Sequence, residues 1–275
     1  MIPVCVVKAD RWQFLAYPLD QLIPPHFDGF QRLRDCFVRS QTTAMTYRRV
    51  AEDINSNTRT RLFLQYQPVL PGLAPFKGTL VPDDHSGLSR QEIWEVVRQF
   101  SRYRLLSLEI ALDFNRCSGI DLDFVRRHAL FGKSHPNTSR LFTRSRTYGS
   151  RKGRKRVRCY DKPELKSFRI ELELHSAWLR RFHITRLDNL PELPRAIFPG
   201  HIRFVRMDWA ALEMHLSRRG LDAEGIIRAA RDKGDSIHAV LGFLRNRVGV
   251  QNVHRFLVTA PPTLFTLLKK WSQSF

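Results

Sequence analysis

Between Arg156 and His175 apolar and polar residues alternate strictly. Arg156, Arg158, Tyr160 and Lys162 fall on one face, with Val157, Cys159 and Asp161 on the other. Further on, Arg169, Glu171, Glu173 and His175 share a face, opposite Phe168, Ile170, Leu172 and Leu174. A period of two predicts two strands, and the short spacing makes them an antiparallel hairpin. Antiparallel partners face the same way, so Tyr160 opposes either Glu171 or Arg169. Opposing it with Glu171 leaves Glu164–Ser167 as a four-residue turn and puts Pro163 at a strand end, where its missing N–H does no harm. That register is the one expected.

The same reading extends along the chain. Leu105–Phe114 predicts a central strand with Glu109, Ala111 and Asp113 on one face and Leu108, Ile110, Leu112 and Phe114 on the other. Asp10–Leu15 and Arg61–Gln67 also have strand character, while Gly29–Arg39 shows helical spacing of Phe30, Leu33 and Phe37. Gln67–Gly87, rich in proline and glycine, predicts a loop or packed irregular segment. Ser89–Glu92 is a capping box opening an amphipathic helix through Phe100, and Asp121–Phe131 predicts a second helix. After a short helix at Ser176–Phe182 and a proline-punctuated connector, His201–Val205 reads as a strand. Helices follow at Trp209–Arg218, Ala223–Lys233, Ser236–Arg247 and Leu264–Trp271. No internal repeat of fixed period stands out. The expected fold class is α+β: a largely antiparallel central sheet carrying the active site, flanked by helices, with a helical C-terminal segment. A boundary near 190 separates a sheet-based catalytic domain, residues 1–190, from a mainly helical segment, 191–275. Residues 1–88 form its irregular N-terminal part, a candidate sub-lobe.

Charge changes the picture. The chain of 275 residues has 46 Lys and Arg against 26 Asp and Glu, a formal net charge of +20. Such an excess favours a polyanionic partner, nucleic acid before membrane. Residues 144–162 alone hold nine basic residues and one Asp. No run of eighteen apolar residues and no signal peptide are present, so a membrane is not an expected partner. Four cysteines without C-x-x-C spacing read as reduced thiols, which places the protein in the cytoplasm.

The shared polar face suits phosphate-ester chemistry. Glu109 with Asp113, and Glu171 with Glu173, are spaced to share a face, and hard cations such as Mg²⁺ or Mn²⁺ take carboxylate oxygens. The plainer alternative is a solvated strand face, or pairing with Arg169. A free tyrosine hydroxyl is a poor nucleophile with a pKa of about 10, and Arg158 and Lys162 beside Tyr160 would stabilise its phenolate. The alternative is a half-buried strand tyrosine. Tyr148 is a second candidate nucleophile, read rather as a strand-end or stacking residue. The basic run that follows predicts a phosphate-gripping loop, giving Arg146, Ser150, Arg151, Lys152, Arg154, Lys155 and Arg156 as DNA contacts, with Tyr148 beside them. Missing are a His-x-His pair, H-E-x-x-H, G-x-x-x-x-G-K-[ST] and G-x-G-x-x-G. His183-x-x-Arg186 is that of a tyrosine recombinase only in isolation, because such an enzyme needs a tyrosine later in the chain and the last is Tyr160.

Taken together, Tyr148-Gly-Ser-Arg-Lys-Gly, Arg158-Cys-Tyr160-Asp-Lys162 and Arg169-Ile-Glu171-Leu-Glu173 resemble the Rep_trans family. These are replication initiation factors of rolling-circle plasmids and filamentous phages, with related relaxases of conjugative elements. Leu108–Asp113 is similar to the family's upstream acidic strand, although that strand more often carries R-x-D. The resemblance covers about residues 105–175. It implies strand-specific nicking at an origin, with Tyr160 forming a 5′-phosphotyrosine and freeing a 3′-OH primer. It also implies Mg²⁺ or Mn²⁺ held by Asp113, Glu171 and Glu173, with Glu109 a further candidate. Arg158, Lys162 and Arg169 would hold the phosphates or pair with the acids. The implied partner is origin DNA, double- and single-stranded, with a helicase and a second copy of the chain as candidate protein partners. A conjugative relaxase with the same chemistry and a non-catalytic DNA-binding protein are the competing readings.

Overall fold

The computed structural model describes residues 5–18, 24–38, 46–83, 86–131, 139–142, 145–149, 155–197, 202–233, 236–260 and 264–274. The first half of the main body contributes β1 (Cys5–Tyr17), β2 (Phe30–Phe37), β3 (Tyr47–Asn55), β4 (Arg61–Pro68) and β5 (Phe76–Val81), then α1 (Arg90–Val97). Next come β6 (Arg102–Asn115), α2 (Leu122–His128), β7 (Ala129–Phe131), β8 (Ser139–Phe142), β9 (Ser145–Tyr148), β10 (Lys155–Lys162), β11 (Ser167–His175) and α3 (Ser176–Arg181). The remainder is α4 (Leu193–Ile197), β12 (Ile202–Met207), α5 (Trp209–Arg218), α6 (Ala223–Asp232), α7 (Ile237–Asn246), β13 (Leu257–Thr259) and α8 (Leu264–Ser274). The fold is α+β, as expected.

Ten strands form one antiparallel sheet in the order β2-β3-β4-β5-β1-β6-β11-β10-β9-β8. The order is symmetric about the β1–β6 seam. Outward from β1 it runs β5, β4, β3, β2; outward from β6 it runs β11, β10, β9, β8. Each half places its first strand at the centre and its last strand beside it, then steps back to the edge. The topology is therefore repeated, although the sequence shows no fixed period.

One face of the sheet is apolar and carries the helices. Trp12, Phe14, Leu62, Leu64, Leu80, Leu108, Ile110, Leu112, Leu172 and Leu174 share a core with Ile93, Val96 and Val97 of α1, Trp178 and Leu179 of α3, and Leu268 and Trp271 of α8. Burying that face is the main source of stability, at about 25 cal/mol per Å² of apolar area. A second core joins Leu130 to Val205, Met207, Leu212, Leu216, Ile227, Leu241 and Leu244. Around it, β7, β12 and β13 form a three-stranded sheet. The segment after residue 190 is thus divided, since α8, Ile202 and Phe204 join the core of the large sheet while residues 205–257 build the second core with Leu130.

The capping box at Ser89 is present, with Glu92 accepting from the Ser89 N–H at 3.0 Å. Glu92 also accepts from Thr58 and Thr60, at 2.5 and 2.8 Å, which ties α1 to the β3–β4 hairpin. Two assignments are corrected. Within Gly29–Arg39, Phe30–Phe37 is an edge strand, β2, and not a helix: Leu33 and Phe37 are exposed, so their helical spacing marks no buried stripe. Cross-strand pairs Arg32–Asp53 and Arg34–Glu52 hold it to β3 instead. Within Gln67–Gly87, Phe76–Val81 is a strand, where Gly78 makes room for the Phe14 ring: a Cβ there would lie 2.1 Å from it. The second predicted helix stops at His128, and Ala129–Phe131 pairs with β12. All four cysteines are free thiols. Among the described residues no helix is long and apolar enough to cross a membrane.

Candidate active site

On the face opposite the helices, the adjacent strands β1, β6, β11 and β10 bring their charged side chains into one cluster. Alternation supplies Glu109 and Asp113 from β6, Arg169, Glu171 and Glu173 from β11, and Arg156, Arg158, Tyr160 and Lys162 from β10. The β1 contribution comes from an irregularity. A register shift between Ala9 and Arg11 lets both Asp10 and Arg11 reach the cluster, alongside Lys8. Sequence alternation gave no sign of these three, because a bulge breaks the period that would reveal them.

The β10–β11 register differs from the expected one by two residues. Tyr160 opposes Arg169, Arg158 opposes Glu171 and Lys162 opposes Ser167. The faces are unchanged, since a shift of two preserves parity. The turn is Pro163–Lys166, a 3-10 turn closed by the Lys166 N–H on the Pro163 carbonyl at 3.0 Å, with Lys166 left-handed at φ 48°. Proline without an N–H begins the turn more readily than it extends the ladder.

Three acids form the centre. Glu109, Glu171 and Glu173 each offer a carboxylate oxygen, and these oxygens lie within 4.8 Å of one another. Glu171 and Glu173 are only 1% and 4% exposed. Arg158 is hydrogen-bonded to Glu171, and its Nε stands 2.9 Å from Glu173. Arg156 also pairs with Glu173, and Arg11 Nη1 is 3.0 Å from Glu109. Burial pushes the Glu109 carboxyl up to about 7; Arg11 opposes the rise, while Glu171 and Glu173 add to it. An all-oxygen donor set of crowded acids is what a hard divalent cation takes, and a cation would relieve the crowding. These residues fit Mg²⁺ or Mn²⁺.

Tyr160 stands at the edge of this cluster, half-buried, and donates a 2.7 Å hydrogen bond to Oε2 of Glu171. Burial raises its phenol well above the usual value, and Glu171 adds to this through its charge and its hydrogen bond, against Arg169 and Arg158. Lys162, two residues on, is buried with its Nζ 3.8 Å from Glu164.

Asp113 does not join the three acids as a ligand. Arg169 grips it through both oxygens, at 2.6 and 2.8 Å, and Lys8 Nζ lies 3.2 Å away. Burial alone would raise the Asp113 carboxyl, but Arg169 and Lys8 outweigh it and hold it low. Arg169 is 1% exposed and also pairs with Asp10 at 3.1 Å, so it is a structural cation within the sheet and not a DNA contact. The expected DNA contacts divide in the same way. Arg156 is on the acid-bearing face. Parity sends Arg146, Tyr148 and Lys155 to the helix-covered side: Tyr148 is 1% exposed and stacks on Phe131, with Arg146 over its ring and Lys155 over that of Phe131. Ser150, Arg151, Lys152 and Arg154 lie outside the described residues.

No protein-family model matches the chain, and a search of curated proteins finds no similar sequence. The resemblance to replication initiators therefore rests on the residues named above.

Proposed function

We propose that this protein is a DNA strand transferase that initiates rolling-circle replication by nicking one strand at an origin. The observation that carries the reading is the Tyr160 hydroxyl, 2.7 Å from a glutamate that belongs to a three-carboxylate cluster. The phenolic oxygen attacks phosphorus as its proton passes to Glu171. A phosphorus–oxygen bond forms to Tyr160, and the bond to the 3′ oxygen breaks, leaving a 5′-phosphotyrosine and a 3′-OH once that oxygen takes a proton from solvent. The bond energy is kept, so the strand can be rejoined by the reverse step. Arg156 and Arg158, paired with Glu173 and Glu171 at the edge of the acid cluster, would turn to meet the non-bridging oxygens. A divalent cation held by Glu109, Glu171 and Glu173 would supply positive charge to polarise the phosphodiester. The net charge of +20 supports a polyanionic substrate.

A second reading is favoured by one feature: Arg156 and Arg158 already neutralise Glu171 and Glu173. On that reading the acids are structural and the chain only binds DNA. The test is incubation with Mn²⁺ and supercoiled or single-stranded DNA carrying the candidate origin. Covalent adducts and nicked circles support strand transfer; salt-sensitive binding without nicking under any divalent cation overturns it.

A further inference from the structure

The symmetric strand order allows the acid site to be compared with its counterpart in the other half of the sheet. A two-fold axis normal to the sheet, through the β1–β6 seam, exchanges the halves and keeps each face on its own side. Arg11 and Glu109 face each other across that seam. With this pair on the axis, the ladder Ser145–Tyr160–Arg169–Asp113 falls on Val50–Gln65–Lys77–Leu15. The paired Arg158 and Glu171 fall on the paired Phe63 and Thr79, and Glu173 on Val81. The counterpart shares the strand arrangement and carries none of these acids: Arg11 stands for Glu109, Thr79 for Glu171, Val81 for Glu173 and Gln65 for Tyr160.

That counterpart is a real concavity. It has a volume of about 340 Å³, lined by Arg11, Gln13, Phe63, Gln65, Lys77 and Thr79 among others. Through Arg11, Phe63 and Val81 it runs into a second hollow of about 540 Å³ that adds Arg59 and Arg61, with one acid, Asp83, against them. Both fall in the usual range for ligand sites. Lys77 and Arg59 form no ion pair among the described residues, and Arg61 has only a 3.5 Å contact with Glu52. Uncommitted cations, amide and hydroxyl groups, and a half-buried ring on one open face are the parts of a single-strand binding groove.

We infer that this face of β1, β4 and β5 binds the phosphodiester backbone of a single DNA strand, with Phe63 as a stacking platform for a base. The inference rests on the strand-transfer reading in one respect, that the bound strand is the one whose phosphate reaches Tyr160. Gln65 and Tyr160 lie five strand spacings apart in the sheet order, roughly 24 Å across the strands at ~4.8 Å each, and they are offset further along the strands, on opposite sides of the Arg11–Glu109 pair. Arg11 joins the two places, lining the groove while holding Glu109 at 3.0 Å. The acid half thus makes and breaks bonds, and the basic half holds the strand's continuation.

The test is a binding measurement in a Tyr160→Phe background, where no covalent step intervenes. Fluorescence anisotropy is recorded with a labelled single-stranded DNA of about sixteen nucleotides, the upper end of common single-strand site sizes. Lys77→Glu with Arg61→Glu should weaken binding at least tenfold, and the salt dependence should flatten by about one to two ions. Lys233→Glu with Lys269→Glu, the same charge change at exposed positions away from this face, should cost less than threefold. Equal losses from both pairs would overturn the inference, as would tighter binding of RNA of the same sequence. Thermal melting checks each fold. A second approach avoids charge reversal, because 5-iodouracil-substituted DNA should cross-link to Phe63 on irradiation; cross-links confined to other surfaces would overturn the groove. If Phe63 cross-links while wild-type protein forms no adduct, the strand-transfer reading fails and the groove stands. If adducts form while the Lys77 and Arg61 changes cost nothing, the groove fails and the chemistry stands.

Discussion

The hydroxyl of Tyr160 and Oε2 of Glu171 are joined by a 2.7 Å hydrogen bond, although the two residues are diagonal and not opposite in the β10–β11 ladder. The other oxygen of the same carboxylate is held by Arg158. Glu171 therefore orients the phenol while it belongs to the acid cluster. The cost is electrostatic, because burial and then the Glu171 charge raise the phenol and oppose its ionisation. In the proposed reaction, proton loss would therefore accompany attack on phosphorus.

A glutamate that accepts a proton during attack should be hard to replace. Glu171→Gln is expected to slow single-turnover adduct formation by roughly 10²–10⁴, the usual worth of a positioned base, and Tyr160→Phe to abolish it. A Gln variant within about threefold of wild type would remove Glu171 from the proton path.

The three-acid cluster makes a separate demand on cation binding. Glu109→Gln and Glu173→Gln should each weaken Mn²⁺ affinity at least tenfold by calorimetry, whereas Asp113→Asn should change it far less, since Arg169 and Lys8 already occupy that carboxylate. Equal losses at Asp113 and Glu109 would put the cation elsewhere.

Asp113 and Arg169 carry a stability prediction instead. The Asp113 carboxyl is held below its ordinary value, so its contribution is fully present above the unfolded carboxylate range of about 4. It is lost as pH falls from there through the depressed folded value. Urea unfolding should show Asp113→Asn costing about 3–5 kcal/mol at neutral pH, as for other broken buried pairs. The gap from wild type should narrow in acid below that range. A variant within 0.5 kcal/mol at about pH 7 would contradict the pairing.

Tyr148 tests the choice between tyrosines. Its hydroxyl is buried and has no hydrogen-bond partner among the described residues, so Tyr148→Phe should be neutral or slightly stabilising in thermal melts. Adduct formation should be unchanged. Loss of the adduct in a folded Tyr148→Phe protein would transfer the nucleophile to that residue.

What the sequence revealed of the site follows from where a period of two holds. It holds along Arg156–Lys162, Phe168–His175 and Ser107–Phe114, so the face carrying Glu109, Glu171, Glu173, Arg158 and Tyr160 is legible in the sequence. It fails at the bulge after Ala9, which hid Lys8, Asp10 and Arg11. The same parity, applied to β9 and the start of β10, would have placed Arg146, Tyr148 and Lys155 on the covered side. A run of basic residues obscured that signal. Asp113 shares a face with Glu109, but only the cross-strand partner, Arg169, decides that it is spent on an ion pair. The edge strand β2 shows helical spacing without being a helix because its apolar residues are exposed, so their spacing reports no buried surface. The repeated topology was invisible because strand order, unlike a solenoid period, tolerates unequal loops.

Peptide mapping by mass spectrometry of the protein–DNA adduct formed with Mn²⁺ tests the strand-transfer proposal most directly. The expected result is a nucleotide remnant on the tryptic peptide containing Cys159, Tyr160 and Asp161, absent from the Tyr160→Phe protein. A remnant on any other peptide, or no adduct from DNA that the protein demonstrably binds, would contradict it.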